Sequence, residues 1–185
     1  MTQVSLIPFE HRGAPCSAMT ATLEVDFKSQ AWKLNFSWNR EPTMPRLESL
    51  TCSKFKIKPQ LWEATCFEWF WKKKSTNAYY ELNFDPNGHY FIHEFIDYRK
   101  PVDHQKIDLN LRLLKVSDDF VTITGEFQEV KFNEDDFSFH LCAVIEDSEN
   151  HLHYFASHHF EETPNFHDRR LFQDWSNESC SEAKR

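Results

Sequence analysis

The residues best suited to chemistry are a tryptophan, a carboxylate and a guanidinium. Trp62 and Glu68 lie six residues apart, and Arg99 follows further along the chain. In an extended chain, an even spacing puts Trp62 and Glu68 on the same face. An indole can cover the apolar side of a pyranose, while the two charged groups bind its hydroxyls. The pattern predicts a site for an oxygen-rich ligand; the alternative is that Trp62 is a core residue at the rim and that Glu68 and Arg99 form a structural salt bridge.

The histidines form a second candidate group. The densest run contains His151, His153, His158 and His159. His151 and His153 would share one face of a strand, a spacing that can hold a zinc or copper ion. No HExxH motif and no carboxylate at fixed spacing accompanies them, so a solvent-facing hairpin explains the run better. We therefore expect no metal site.

No recognised catalytic motif is present in the sequence. It has no GxSxG elbow, phosphate-binding loop, glycine-rich dinucleotide turn or thiol–histidine signature, and no carboxylate pair stands out as a glycosidase dyad. Haem requires axial His or Met ligands. Met1, Met19 and Met44 all lie outside the motif strands, which leaves a site with two His ligands as the remaining, weakly supported haem alternative. We therefore expect a non-catalytic protein without a cofactor.

Charge and composition argue against several classes of partner. The formal net charge of −8 opposes binding to nucleic acid, and the one sharp basic run, at 72–74, is typical of a solvated turn. No stretch approaches the roughly 18 apolar residues that span a membrane. Residues 1–16 lack the apolar core of a signal peptide. The five cysteines show no paired spacing, so we expect reduced thiols in a cytoplasmic protein.

The elements that must position these residues are β-strands, because apolar and polar residues alternate over most of the chain. Short links at 28–30, 85–88 and 147–150 predict hairpin turns. With 18 Phe and 6 Trp among 185 residues, the chain can bury one large core. We expect an all-β, antiparallel two-sheet sandwich, in which the buried positions include Trp32, Leu34, Phe36, Leu82, Leu109, Leu111 and Ile123.

Two stretches allow more than one interpretation. Residues 60–73 could form a short helix, because Trp62, Cys66 and Trp69 recur at helical spacing. The density of aromatic residues instead favours a strand from about Cys66. The polar composition of 173–185 predicts a frayed C-terminal tail, so a single sandwich domain is expected to cover residues 1–172.

Several short blocks are similar, in order, to motifs of the bacterial DOMON-like proteins, which are grouped with the family 9 carbohydrate-binding modules. The segment 61–70 (LWEATCFEWF) resembles LWxxTCFExF, and 80–88 (YELNFDPNG) resembles YxEFNFSPxG. Tyr98 and Arg99 match a YR block. The stretches AVIED, YFA and PNFH, ending at residue 167, resemble AVIEE, YWA and PDFH. Each block alone is weak, whereas their order over residues 6–172 is specific.

The resemblance implies an antiparallel sandwich of jelly-roll topology. Relatives bind sugars, or haem in some extracellular cytochromes, and in family 9 modules a Trp and a Glu at the positions of Trp62 and Glu68 contribute to the sugar site. Arg99, Tyr98 and His167 lie in matching blocks and complete the candidate ligand-binding set. The expected function is non-catalytic binding of a small oxygen-rich ligand, a carbohydrate by resemblance. The alternatives are a structural or protein-interaction sandwich and a haem-binding DOMON domain.

The chain departs from the family pattern at four places. Lys100 follows the YR block where Met is common, and Phe155 replaces the Trp of YWA. Asn165 replaces the Asp of PDFH, and Phe9 stands where the N-terminal LxPH motif has its His. No site residue is carried over at these four positions.

Overall fold

The computed structural model of the chain describes residues 1–10, 14, 16–39, 47–102, 109–128 and 131–175. Within these ranges there is no α-helix, and no helix long and apolar enough to cross a membrane. Single 3-10 turns lie at Leu61–Glu63, Glu134–Asp136 and Arg169–Leu171. The strands are β1 Thr2–Pro8, β2 Met19–Asp26, β3 Ala31–Trp38, β4 Leu50–Cys52, β5 Lys56–Ile57, β6 Cys66–Lys73, β7 Tyr79–Phe84, β8 His89–Asp97, β9 Lys100–Pro101, β10 Leu109–Val116, β11 Phe120–Phe127, β12 Phe137–Glu146, β13 Leu152–Ala156 and β14 Gln173–Asp174.

The strands form two sheets that share their first strand. Sheet A has the order β4-β10-β11-β3-β2-β1, and sheet B has the order β1-β13-β12-β6-β7-β8-β5, with β9 on β8 and β14 on β12. Residues 2–6 of β1 pair with β2, whereas Ile7 and Pro8 pair with β13. All pairings are antiparallel except β5 with β8. The predicted antiparallel two-sheet sandwich is confirmed.

Aromatic side chains from the two sheets meet in one core. The ring centroids of Trp32 and Trp69 are 4.9 Å apart, and those of Phe36 and Phe67 are also 4.9 Å apart. Tilted and edge-to-face contacts of this kind add to the stabilisation from burial. The predicted core is confirmed at most positions, and Leu109 and Leu111 pack against it only half-buried. The fully confirmed positions are Trp32, Leu34, Phe36, Leu82 and Ile123.

Strand β10 differs from the sequence prediction in its second half. In the sequence, Ile107, Leu109, Leu111 and Leu113 alternate with other residues, which predicts that all four lie on one buried face. The register with β11 shifts between the last two of these residues, and the buried face passes to Leu114 and Val116. An inserted residue in a bulge reverses the side-chain alternation, and consecutive leucines give no sign of where it falls. Ile107, counted in the same pattern, lies outside the described residues.

The three predicted hairpin turns are confirmed at 28–30, 85–88 and 147–150. Each contains one residue with a left-handed backbone: Gln30 at φ 61°, Gly88 at φ 83° and Asn150 at φ 63°. At Gly88 a side chain would also be crowded, since a Cβ there would lie 3.1 Å from Sγ of Cys52. Glycine therefore suits this turn on two counts.

The packed domain extends beyond the predicted boundary at residue 172. Gln173 and Asp174 pair with β12, and Trp175 is buried beside Phe137, with ring centroids 6.1 Å apart. Nζ of Lys74 lies 3.4 Å from the Asp174 carboxylate. Polar composition concealed this edge strand, because a strand that lies at the surface needs only one apolar anchor. The rest of the predicted tail, 176–185, lies outside the described residues.

The cysteines bear on a prediction about redox state. Cys52, Cys66 and Cys142 are free thiols, Cys16 is buried, and Cys180 lies outside the described residues. We expect thiol titration of protein unfolded without reductant to find five reactive groups, one for each cysteine in the sequence. A count of three or fewer would show a disulfide and would contradict the prediction.

Candidate functional site

The outer face of sheet B, which points away from sheet A, is covered rather than open. In β6 and β12 nearly every residue is buried, although alternate side chains point to opposite faces. The inward set belongs to the core. The outward set lies beneath the turn Leu61–Glu63 and beneath residues 157–172, here called the covering segment. Two-sided burial explains why residues 66–71 of β6 are all apolar except Glu68.

A cavity of about 460 Å³ lies between this outer face and its cover. Trp62 stands at its rim with 39% of its surface exposed, whereas Glu68 and Glu81 in its walls are 3% and 5% exposed. Its volume is in the range of small-molecule sites. The lining residues are Trp62, Glu68, Glu81, His93, Phe95, Arg99, Pro101, Val144, Tyr154, Pro164, Phe166 and His167.

Four of the five predicted site residues line this one cavity: Trp62, Glu68, Arg99 and His167. The fifth, Tyr98, lies just outside the lining and is exposed.

Trp62 and Glu68 do not share a strand, so the prediction that even spacing puts them on one strand face was wrong. Trp62 belongs to a 3-10 turn, and the strand begins only at Cys66. Trp62 reaches the cavity because the turn folds over the outer face of sheet B. The strand predicted from about Cys66 is confirmed.

The alternative interpretation of these residues as structural does not match their contacts. Arg99 makes no ion pair with Glu68, although the structure describes both residues; its Nη2 donates to Oδ1 of Asn165 at 3.2 Å. The indole of Trp62 lies at the rim rather than in the core, with its ring 5.8 Å from the ring of His93. An aromatic side chain and a guanidinium therefore remain at the mouth of the cavity.

The deepest polar groups of the cavity are the two carboxyls of Glu68 and Glu81. Glu68 lies opposite Asn83 in the β6–β7 pairing, so Glu81 is its diagonal neighbour on the same face. Oε2 of Glu68 accepts from Sγ of Cys142 at 3.5 Å, and Oε1 of Glu81 accepts from Nδ2 of Asn83 at 2.5 Å. Burial raises the pKa of Glu81 to about 7. Burial, and then the charge of Glu81, raises the pKa of Glu68 well above its usual value.

Hydrogen bonds hold His167 of the covering segment in place beside these carboxyls. The hydroxyl of Tyr79 accepts from the backbone N–H of Arg99 at 3.1 Å and lies 2.8 Å from Nδ1 of His167. Nε2 of His167 faces Oε2 of Glu81 at 3.8 Å. Burial and, to a lesser extent, the positive charge of Arg99 lower the pKa of His167 to about 4. The imidazole is therefore neutral near pH 7 and fixes the segment by hydrogen bonding rather than by charge.

Asn165 holds the rim of the cavity together. Its Oδ1 accepts from Arg99, and its Nδ2 lies 3.0 Å from the hydroxyl of Tyr98 and 3.0 Å from Oε2 of Glu161. Its Oδ1 also accepts from the backbone N–H of His167 at 3.2 Å. An amide can both donate and accept, so Asn165 makes contacts that an Asp at this position could not all make. Tyr98 thus supports the site from outside.

Glu81 and His93 are the main residues of the cavity that the sequence interpretation missed. Nε2 of His93 is buried and has no hydrogen-bond partner among the described residues. A signal for Glu81 was present, since Glu81 and Asn83 interrupt a strand whose other residues are almost all apolar. Charged side chains are seldom buried in such a strand unless they have a specific role.

The histidine run belongs to the β12–β13 hairpin and the covering segment. Nε2 of His153 lies 2.9 Å from Oδ2 of Asp147, while His151 is exposed. His158 stacks on Phe160, and Nε2 of His159 lies 2.9 Å from the carbonyl oxygen of Ile7. In the described ranges, no three His, Cys, Asp or Glu side chains are grouped so that they could hold a metal ion. The four histidines have local structural contacts.

A larger cavity of about 610 Å³ lies beside the β12–β13 hairpin and shares Tyr154 and Pro164 with the first. Its remaining walls include Phe9, Glu10 and the turn at 147–149. Of its carboxylates, Glu10 and Glu149 are exposed, and Asp147 is already paired with His153. The smaller cavity is the better candidate, because its buried carboxyls and His93 have unused hydrogen-bonding capacity.

Comparisons with known proteins bear on the fold. No protein-family model matches the chain, and no curated protein matches its sequence. The chain is similar to a crystal structure from Bacteroides uniformis described as a "putative carbohydrate-binding protein", with a TM-score of 0.61 and 10% sequence identity. The similarity covers 93% of this chain and 84% of that one. At this level of identity the similarity establishes a shared all-β sandwich fold.

Proposed function

We propose that this protein is a non-catalytic binding domain for a small oxygen-rich ligand, a carbohydrate, which binds in the 460 Å³ cavity. The observation that carries the proposal is the position of Trp62, a half-exposed indole at the rim above two buried carboxyls. A pyranose has an apolar face and a ring of hydroxyls, and this cavity offers a surface for each. The fold shared with a protein described as carbohydrate-binding is consistent with the proposal, as is the resemblance to DOMON-like motifs.

Five of the lining residues would contact the sugar. The indole of Trp62 would cover the C–H face of the sugar. Glu68, Glu81 and Nε2 of His93 would accept hydrogen bonds from or donate them to its hydroxyls, replacing the water those groups lose on binding. The guanidinium of Arg99, held by Asn165, would donate to ring or hydroxyl oxygens at the mouth. The affinity would be modest, because most of the free energy gained from each hydrogen bond offsets the cost of removing water from the same groups.

The test is a thermal-shift screen with a panel of neutral and amino monosaccharides and oligosaccharides. A ligand that binds only the folded state raises the melting temperature. Trp62→Ala is expected to reduce the affinity for any sugar found by at least about tenfold, which corresponds to ~1.4 kcal/mol, while its unfolding midpoint stays close to that of the wild type.

The matched control is Phe160→Ala, because Phe160 is also a large exposed aromatic residue but lies outside the cavity. It should leave binding unchanged. A panel in which no sugar raises the melting temperature would contradict the proposal and favour a structural or protein-interaction sandwich. Equal loss of binding in both variants would show that binding occurs elsewhere.

A further inference from the structure

Among the residues that the structure describes, the cavity contains two buried carboxyl groups but only one side chain with a permanent positive charge. Glu68 and Glu81 lie in the walls, and Arg99 lies at the rim, where its guanidinium donates to a neutral amide rather than to either carboxyl. The strands and segments packed against the pair contribute the other titratable groups that face or adjoin it. In the described part of the chain these are Cys66, Tyr79, Asp85, His93, His140, Cys142, Tyr154 and His167.

None of these neighbours supplies a second positive charge near pH 7. Burial is the main cause of a lowered pKa in all three histidines. The pKa of His93 is lowered, that of His140 falls to about 3, and that of His167 falls to about 4. All three imidazoles are therefore neutral. With both carboxyls ionised, the cavity would hold one negative charge too many. A buried charge without a partner is costly, and the empty cavity avoids that cost by keeping a proton on the carboxyl pair.

We propose that the cavity selects an amino sugar, whose ammonium group lies between Glu68 and Glu81 while its ring packs on Trp62. This inference rests on the proposed carbohydrate site and names the class of sugar. One ligand cation balances the charges, since two carboxylates then face one guanidinium and one ammonium. A neutral sugar leaves the carboxyl pair sharing its proton, and a uronic acid adds a third negative charge.

The proposal requires an exchange of protons. In the free protein the raised pKa values of Glu68 and Glu81 keep at least one proton on the carboxyl pair near pH 7 and favour a second below it; on binding, the ligand ammonium takes their place between the two carboxylates, and the protons leave for solvent. No bond forms or breaks apart from those O–H bonds. Binding at a pH below 7 should therefore release between one and two protons for each ligand bound, whereas a neutral sugar should release almost none.

Isothermal titration calorimetry at pH 6.5 tests this directly. The probes are glucosamine, galactosamine and mannosamine, each compared with its parent hexose and with its N-acetyl form, in two buffers of different protonation enthalpy. We expect at least one hexosamine to bind at least about tenfold more tightly than both of its neutral counterparts, as a charged hydrogen bond in a buried site allows. Its binding enthalpy should depend on the buffer with the sign of proton release.

Two carboxamide variants locate the effect. Glu81→Gln should abolish both the preference for the hexosamine and the proton release, while still folding, because Gln keeps the acceptor that meets Asn83. Glu149→Gln, at the exposed tip of the acidic hairpin beside the larger cavity, should change neither.

Neutral hexoses that bind as tightly as the hexosamines would overturn this inference and leave the proposed carbohydrate site standing. Absence of binding by all nine sugars would overturn both. A hexosamine preference that survives in Glu81→Gln would place the ammonium elsewhere and would also overturn the inference.

Discussion

Glu81→Gln is expected to stabilise the folded protein relative to the wild type, and increasingly so as the pH rises from 4.5 to about 7. Glu81 is buried, and its pKa rises from an ordinary 4.5 to about 7 in the folded protein. Between these values the unfolded chain has lost the proton while the folded protein still holds it. Folding therefore takes up a proton in this range. The contribution of the protonated carboxyl to the free energy of unfolding is fully present below pH 4.5 and is lost as the pH rises to 7.

The expected size of this stabilisation follows from the shift in the pKa of Glu81. A change from 4.5 to about 7 corresponds to a relative gain on the order of 3 kcal/mol for the variant, constant above pH 7. Loss of the Glu81 charge also lowers the pKa of Glu68, which acts in the same direction. The measurement is the free energy of unfolding by urea for both proteins at several pH values, expressed as their difference.

The difference in unfolding free energy between the two proteins is needed, because other groups in the wild type change stability with pH in the opposite direction. The lowered pKa values of His140 and His167 make stability rise with pH below 6.5, the ordinary histidine value. These contributions are common to both proteins and cancel. Glu149→Gln, at an exposed position, is the control and should give a flat difference. A flat difference for Glu81→Gln as well would mean that Glu81 is solvated and that the account of the cavity is wrong.

Trp69→Ala should destabilise the protein by about 3–5 kcal/mol, the loss typical of a buried Trp or Phe. Trp69 is fully buried at the centre of the sandwich, with ring centroids 4.9 Å from Trp32 and 4.6 Å from Trp71. Its Nε1 has no hydrogen-bond partner among the described residues, so the loss arises from packing and the cavity left behind. The free energy of unfolding of an ordinary domain is only about 5–15 kcal/mol, so this variant will be close to unfolding.

Two further variants keep that prediction testable by urea denaturation. Trp69→Phe retains most of the buried ring and should lose less than half as much free energy. Trp62→Ala removes the same side chain from the rim and should cost little, because much of Trp62 is already exposed to water. An equal loss for Trp62→Ala and Trp69→Ala would contradict the distinction between a site residue and a core residue.

The sandwich could be predicted from the sequence because its signal is repeated in many strands. Period two along 32–38 and hairpin turns with Asn, Asp or Gly each specify local geometry, and both sheets follow from them. The bulge in β10 and the pairing of Gln173 could not be predicted. The position of a bulge depends on the pairing between two strands, and a short edge strand forms only because a neighbouring strand pairs with it. Neither pairing leaves a pattern in the local sequence.

The candidate site could be predicted only in part. Trp62, Glu68, Arg99 and His167 were selected by motif resemblance and side-chain chemistry, and all four line one cavity. Glu81 was missed, because its importance comes from sharing a buried face with Glu68 on the adjacent strand. Strand order and burial decide such a pairing, and neither can be read from residue spacing within a single strand.

The central claim is that Trp62 forms the ligand-contacting surface of the cavity, and the indole N–H signals in an ¹⁵N-correlated NMR spectrum test it most directly. The chain has six Trp residues, of which Trp62 alone lines the cavity in the described ranges. Trp62→Phe assigns its signal. Titration with a sugar that binds should shift or broaden the Trp62 signal while the core signals of Trp32 and Trp69 stay in place. A Trp62 signal that does not move at saturating sugar would contradict the account.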